Sequence, residues 1–216
     1  IAVLKQISPA VAPAAPMPYP ENTVPSARSN MALGADFSGA VIISVSFGQT
    51  LQNFSLTNAV DGKEVSLDNF SSSPGVVIIF TSNSCPYDGY YLNRIRSLAN
   101  QYNSKIPVLL VNSGKDDTES VAQMKNYADQ CKLDVPYLAD KDQKLLSSLN
   151  PRKSPEGFLL QKSGGEFKVV YRGAIDDNAQ SEKEVKVSYL KDAIVKLLAG
   201  QKIDVADVRP VGCTIR

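Results

Sequence analysis

The chain has 216 residues, 43% of them hydrophobic and 21% charged, with a formal net charge of +1. That composition suits a soluble globular protein, and the charge gives no reason to expect nucleic acid or an anionic membrane as a partner. Histidine is absent, which excludes Ser-His-Asp and Cys-His catalysis, histidine-bound zinc or haem, and histidine pH switches. Three cysteines, Cys85, Cys131 and Cys213, are too few for a disulfide scaffold and too scattered for a zinc site. Unusual chemistry therefore falls to a thiol, a carboxylate, a hydroxyl or a lysine.

Composition changes near residue 48. Pro9, Pro13, Pro16, Pro18, Pro20 and Pro25 crowd the first stretch, so residues 1–48 read as an extended Pro/Ala-rich arm with no core of its own. Such an arm is expected to become ordered by lying on another surface and to mediate assembly with a protein partner or with a second copy. Ala40–Phe47 is too short to span a membrane. It resembles the apolar centre of a secretory signal but lacks a basic residue before it, and reads as a buried strand or as part of the arm.

From Gln49 onward, strand and helix signals alternate. A hairpin is expected around Asp61-Gly62. Val76–Phe80 is a continuous apolar run, as in a central strand covered on both faces. A helix through Tyr102 follows, with Ile95, Leu98, Ala99 and Tyr102 on one face. Val108–Val111 reads as a second buried strand. Asp116–Cys131 reads as a helix whose stripe includes Val121, Met124, Ala128 and Cys131. A short helix holds Leu145 and Leu149. Gly157–Leu160 and Phe167–Tyr171 form a second hairpin, and Ser181 with Glu184 suggests the capping box of a last helix. The expectation is an α/β sheet with helices on both faces and an antiparallel edge pair.

Cys85 stands just past the Val76–Phe80 strand, with Pro86 at the first position of the next helix. Free N–H groups and the helix dipole stabilise a thiolate there and raise its reactivity. A buried structural cysteine is the other reading of the same position. Cys131, on an apolar stripe, reads as core. Asp176 and Asp177 read as turn residues, general bases or metal ligands, and Arg172 as a solvated strand residue or a thiolate partner.

The segment Phe80-Thr81-Ser82-Asn83-Ser84-Cys85-Pro86-Tyr87 resembles the active-site segment of thioredoxin-like redoxins, in the branch that mixes peroxiredoxin-like and thioredoxin-like features. Ser154-Pro155 ahead of Phe158 resembles that family's cis-proline corner, Tyr171–Asn178 its late hairpin, and Gly212-Cys213-Thr214-Ile215 its cysteine-bearing C-terminus. The resemblance implies a thioredoxin-like fold over residues 49–216, with a central mixed sheet. It implies Cys85 as the nucleophile, Ser82 beside it, Cys213 as a resolving thiol, and Ser154, Pro155, Pro86 and Tyr87 around the substrate.

Ser82 stands where the first cysteine of a C-x-x-C pair is found, so the internal disulfide of thioredoxins cannot form. Ser82-x-x-Cys85 matches the peroxiredoxin pattern instead, although Ile79 replaces the proline expected three residues before the hydroxyl. The expected function is a thiol-dependent redox protein acting on a peroxide or on protein thiols, with neither metal nor cofactor. It would be periplasmic or otherwise extracytoplasmic, with the cytoplasm as the alternative. The alternative is a non-catalytic subunit that binds a partner through its arm.

Overall fold

The structure is a computed structural model that describes residues 47–215. The expected arm over residues 1–48 lies outside these except for Phe47 and Gly48. Gly48 donates its N–H to the carbonyl of Val169.

The strands are β1 (Thr50–Leu51), β2 (Ser55–Asn58), β3 (Glu64–Ser66), β4 (Gly75–Phe80), β5 (Val108–Asn112), β6 (Tyr137–Ala139), β7 (Glu156–Ser163), β8 (Glu166–Gly173) and β9 (Asp207–Val208). They form one sheet in the order β1-β8-β7-β4-β5-β6-β2-β3, with β9 also paired to β8. Strands β4, β5 and β6 are parallel, and β7 runs antiparallel to β4. The apolar run 76–80 is fully buried at the centre of the sheet because both of its faces are covered. The edge pair is the hairpin β2–β3, whereas the second hairpin, β7–β8, lies inside the sheet.

The helices are α1 (Pro86–Tyr102), α2 (Val121–Cys131), α3 (Lys144–Leu149) and α4 (Tyr189–Leu198). Alternation along the strands divides the core in two. Val77, Ile79, Val108 and Leu110 face α1, α2 and α4, while Val76, Ile78, Leu109 and Val111 face α3 and the 3-10 turn Leu67–Phe70. None of these helices is long and apolar enough to cross a membrane.

Three local expectations are corrected. The segment from Asp116 is split: a 3-10 turn spans Asp117–Glu119, and α2 begins only after Ser120, whose hydroxyl accepts the N–H of Gln123. Ser181 does not cap α4. A 3-10 turn occupies Glu182–Glu184, the Ser181 side chain makes no cap bond, and α4 begins after Ser188. Strand β6 is also additional. It holds three residues after Pro136, too few for a periodic signal.

Candidate functional site

Cys85 is the N-cap of the 17-residue helix α1, with Pro86 at its first turn. Residues 81–84 lead from the carboxyl end of β4 into that cap, so the sulfur sits where the sheet and the positive end of a helix meet. Cys85 and Cys213 form a disulfide with Cα atoms 5.9 Å apart, across 128 residues of sequence. Cys213 also pairs with Ser154 as an antiparallel bridge. The Ser154 N–H donates to the Cys213 carbonyl at 2.8 Å, and the Cys213 N–H donates to the Ser154 carbonyl at 2.9 Å. That Ser154 carbonyl oxygen lies 3.3 Å from the Cys85 sulfur. The bond between Ser154 and Pro155 is cis. One short edge of backbone thus holds both sulfurs.

The loop before Cys85 is fastened to a carboxylate that sequence reasoning missed. Glu119 Oε1 accepts the hydroxyls of Ser82 and Ser84, each at 2.6 Å, and the N–H of Ser84 at 3.1 Å. Glu119 Oε2 accepts the N–H of Asn83 at 3.0 Å and the amide of Asn112 at 2.5 Å. Asn112 also donates to the Tyr137 hydroxyl, which in turn donates to the Asn83 side chain at 2.7 Å. Gly114 makes room for the carboxylate: a Cβ there would stand 2.6 Å from Glu119 Cγ. Burial pushes the Glu119 carboxyl up. The hydrogen bonds from Ser82, Ser84, Asn112 and Asn83 outweigh it and hold the group below its ordinary value.

A second carboxyl lies on the other side of the cap. Asp88, in the first turn of α1, is 2% exposed. Ser154 Oγ donates to its Oδ2 at 2.6 Å. Here burial wins, and the Asp88 carboxyl is pushed up to about 7, with the Ser154 hydroxyl only partly opposing it. The same serine therefore touches Cys213 through its backbone and Asp88 through its side chain.

Beside the disulfide opens a cavity of about 250 Å³, bordered by Ser82, Ser84, Cys85, Cys213, Asp116 and Glu119 among others. Among the described residues, its charged lining residues are Asp116 and Glu119. No group of acidic residues and cysteines suited to a metal ion occurs among the described residues.

The structure brings Cys85, Cys213, Ser154 and Pro155 together. Ser82 borders the same cavity, but its hydroxyl is directed to Glu119 rather than held free for the sulfur, because a carboxylate is the stronger acceptor. Pro86 is exposed and Tyr87 half-buried, edge-on to Tyr90 with ring centroids 6.1 Å apart, and neither borders the cavity. Arg172 is not a partner of Cys85. Its guanidinium binds Asp207 at 2.7 Å. Asp176 is buried in an ion pair with Arg94 at 2.7 Å, and Asp177 accepts the N–H of Lys186, so both hold turns. Cys131 is free and half-buried rather than core, and Val121, expected on the same stripe, is 40% exposed.

The family model described as Redoxin matches residues 47–191. Among solved structures, an uncharacterised conserved protein from Geobacillus kaustophilus superposes with a TM-score of 0.72 at 26% identity, covering 81% of this chain and 93% of that one. An exposed lipoprotein thioredoxin from Streptococcus pneumoniae is also 26% identical, with a TM-score of 0.51, covering 69% of this chain and 99% of that one. A peroxidoxin from Mycobacterium tuberculosis, 17% identical with a TM-score of 0.54, covers 72% of this chain and 98% of that one and shares its fold. The fold is thioredoxin-like, as the resemblance implied. The search of curated proteins returns no match.

Proposed function

Because the chain belongs to the Redoxin family, we propose that it transfers electrons by thiol–disulfide exchange, with Cys85 and Cys213 as its redox couple. The observation that carries the reading is the bond between a helix-capping cysteine and a distant cysteine held on the Ser154 edge. A pair that only stapled the fold would have no need of a helix N-terminus, whose dipole favours the thiolate and eases its departure and attack. In the dithiol form, the Cys85 thiolate attacks a partner's disulfide. A mixed disulfide forms and the partner's other sulfur leaves as thiolate. The Cys213 thiolate then attacks the Cys85 sulfur, restores the internal disulfide and releases the partner reduced, two electrons having passed to it. The steps run backward when the partner is a dithiol.

Two features favour exchange with thiols over peroxide reduction. The Ser82 hydroxyl, which a peroxide site would aim at thiolate and peroxide, is committed to Glu119. Among the described residues, the charged side chains bordering the cavity are the acids Asp116 and Glu119, which would oppose developing negative charge. The test is electron transfer by the reduced full chain to a disulfide-bearing polypeptide, followed by mass-mapped alkylation, with hydrogen peroxide as the competing acceptor. Turnover with the polypeptide is expected, and its loss in both Cys85→Ser and Cys213→Ser. Rapid peroxide consumption without polypeptide reduction would establish the peroxidase instead, and inertness toward both would leave the non-catalytic subunit.

A further inference from the structure

We propose that the exchange partner of Cys85 is an extended polypeptide whose cysteine is preceded by glycine, and that Gly212-Cys213-Thr214-Ile215 is this chain's own example of it. The proposal rests on the exchange reading above and names its substrate class.

The edge at Ser154 offers one N–H and one carbonyl, and Cys213 uses both. A strand with its cysteine bonded to Cys85 must take the same two groups, so a partner and the segment 212–215 exclude each other. The register is restrictive at the residue before the cysteine. A Cβ on Gly212 would stand 2.0 Å from the Ser154 carbonyl oxygen, 2.7 Å from its carbon and 3.2 Å from Pro155 N. These are backbone atoms of a fully buried serine two residues ahead of strand β7, so they cannot swing aside as a flexible side chain would. Only glycine fits.

The positions after the cysteine differ. Thr214 is exposed, and its hydroxyl accepts from the Lys153 ammonium at 3.2 Å. Ile215 packs against the core cluster containing Phe80 and Phe158 and borders the cavity. The template is therefore glycine, cysteine, any residue, then an apolar residue. Asp116 and Glu119 on the cavity wall oppose an acidic residue in place of Ile215.

The test uses the full-length chain carrying Cys213→Ser and Cys131→Ser, so that Cys85 is its single thiol. Peptides of sequence Val-Gly-Cys-Thr-Ile-Arg, activated as the pyridyl disulfide, report attack by Cys85 through release of pyridinethione. The companion peptides replace Gly by Ala or Ile by Asp. Segment 212–215 competes equally with all three, so rate ratios are unaffected by it. The Gly-Cys peptide is expected to react about tenfold or more faster than the Ala-Cys peptide, the size of penalty that a forced clash with packed backbone imposes. Equal rates for the glycine and alanine peptides, with Cys85 reacting readily with dithiodipyridine, would overturn the specificity and leave the exchange reading standing. Failure of Cys85 to react with dithiodipyridine itself would bring down both.

Discussion

The two carboxyls flanking Cys85 are almost equally buried and behave in opposite ways. Glu119, on the loop side, is charged, and Asp88, on the helix side, is pushed up to about 7. Burial penalises the ionised form of both. What separates them is the balance between burial and aimed donors: burial weighs more heavily on Asp88, where bonds from Ser154, Thr81 and the Ser82 N–H only partly offset it, whereas five hydrogen bonds from Ser82, Asn83, Ser84 and Asn112 outweigh it at Glu119. The same group type becomes a fixed anion that organises the Cys85 loop on one side and a near-neutral titrating acid beneath the cap on the other.

The largest expected effect comes from Asp88. Its folded value lies above its ordinary one, so the folded state holds a proton that the unfolded chain has released, and stability falls as pH rises from about 4 to about 7. The fall has a ceiling of ~4 kcal/mol. In Asp88→Asn that slope is expected to vanish while the bond from Ser154 survives. Denaturant unfolding across this window checks it, and parallel curves for the two proteins would erase the distinction between the carboxyls.

Glu119→Gln is expected to cost about 2 kcal/mol near neutral pH, because the new amide presents donors to donors. The sign with pH is reversed: Glu119 is held below its ordinary value, so the wild type's advantage is present at neutral pH and shrinks as acid protonates the carboxyl. An undiminished advantage in acid would show packing rather than charge at work.

A smaller effect, about 1 kcal/mol, is expected for Ser82→Ala, since Oε1 keeps both bonds from Ser84. Its exchange rate is expected to match the wild type. A collapse in rate with stability little changed would return Ser82 to the role of thiolate partner. Smallest is a several-fold change in alkylation of the reduced protein. Removing the Glu119 charge beside the cavity is expected to speed labelling of Cys85 while leaving Cys131 unchanged. Asp88→Asn is expected to leave Cys85 labelling unaltered below about pH 6, where Asp88 is already protonated. Peptide-level mass spectrometry separates the cysteines.

Much of one half of this site was legible in the sequence, and little of the other. The apolar run 76–80, a following cysteine and then a proline suffice to mark a strand feeding a helix cap, since each step obeys a local rule. Cys213 and Ser154-Pro155 were legible only through resemblance, because no local pattern joins residues so far apart in the chain. Glu119, three residues after Asp116, read only as part of a helix start and carried no signal for this site. Its donors in the loop lie 35 to 37 residues away and include main-chain N–H groups, which every sequence has; the nearer donor, Asn112, sits on a different element, β5. Asp88 was not singled out in the sequence, and its burial beneath Ser154 depends on the corner that leads into β7, the strand paired with β4. Sequence placed Cys131 in the core because helical spacing identifies a stripe but not its rim, and its helix turned out shorter than the pattern implied.

The central claim is that Cys85 and Cys213 open and close as one couple. Equilibrating the full chain in glutathione buffers from reducing to oxidising, trapping thiols with acid and alkylator, and mapping peptides without reduction tests it directly. The account predicts a single two-electron transition in which the linked Cys85 and Cys213 peptides appear together while Cys131 stays free. Persistence of Cys85 as a free thiol through the oxidising range, or its capture by Cys131 rather than Cys213, would contradict it.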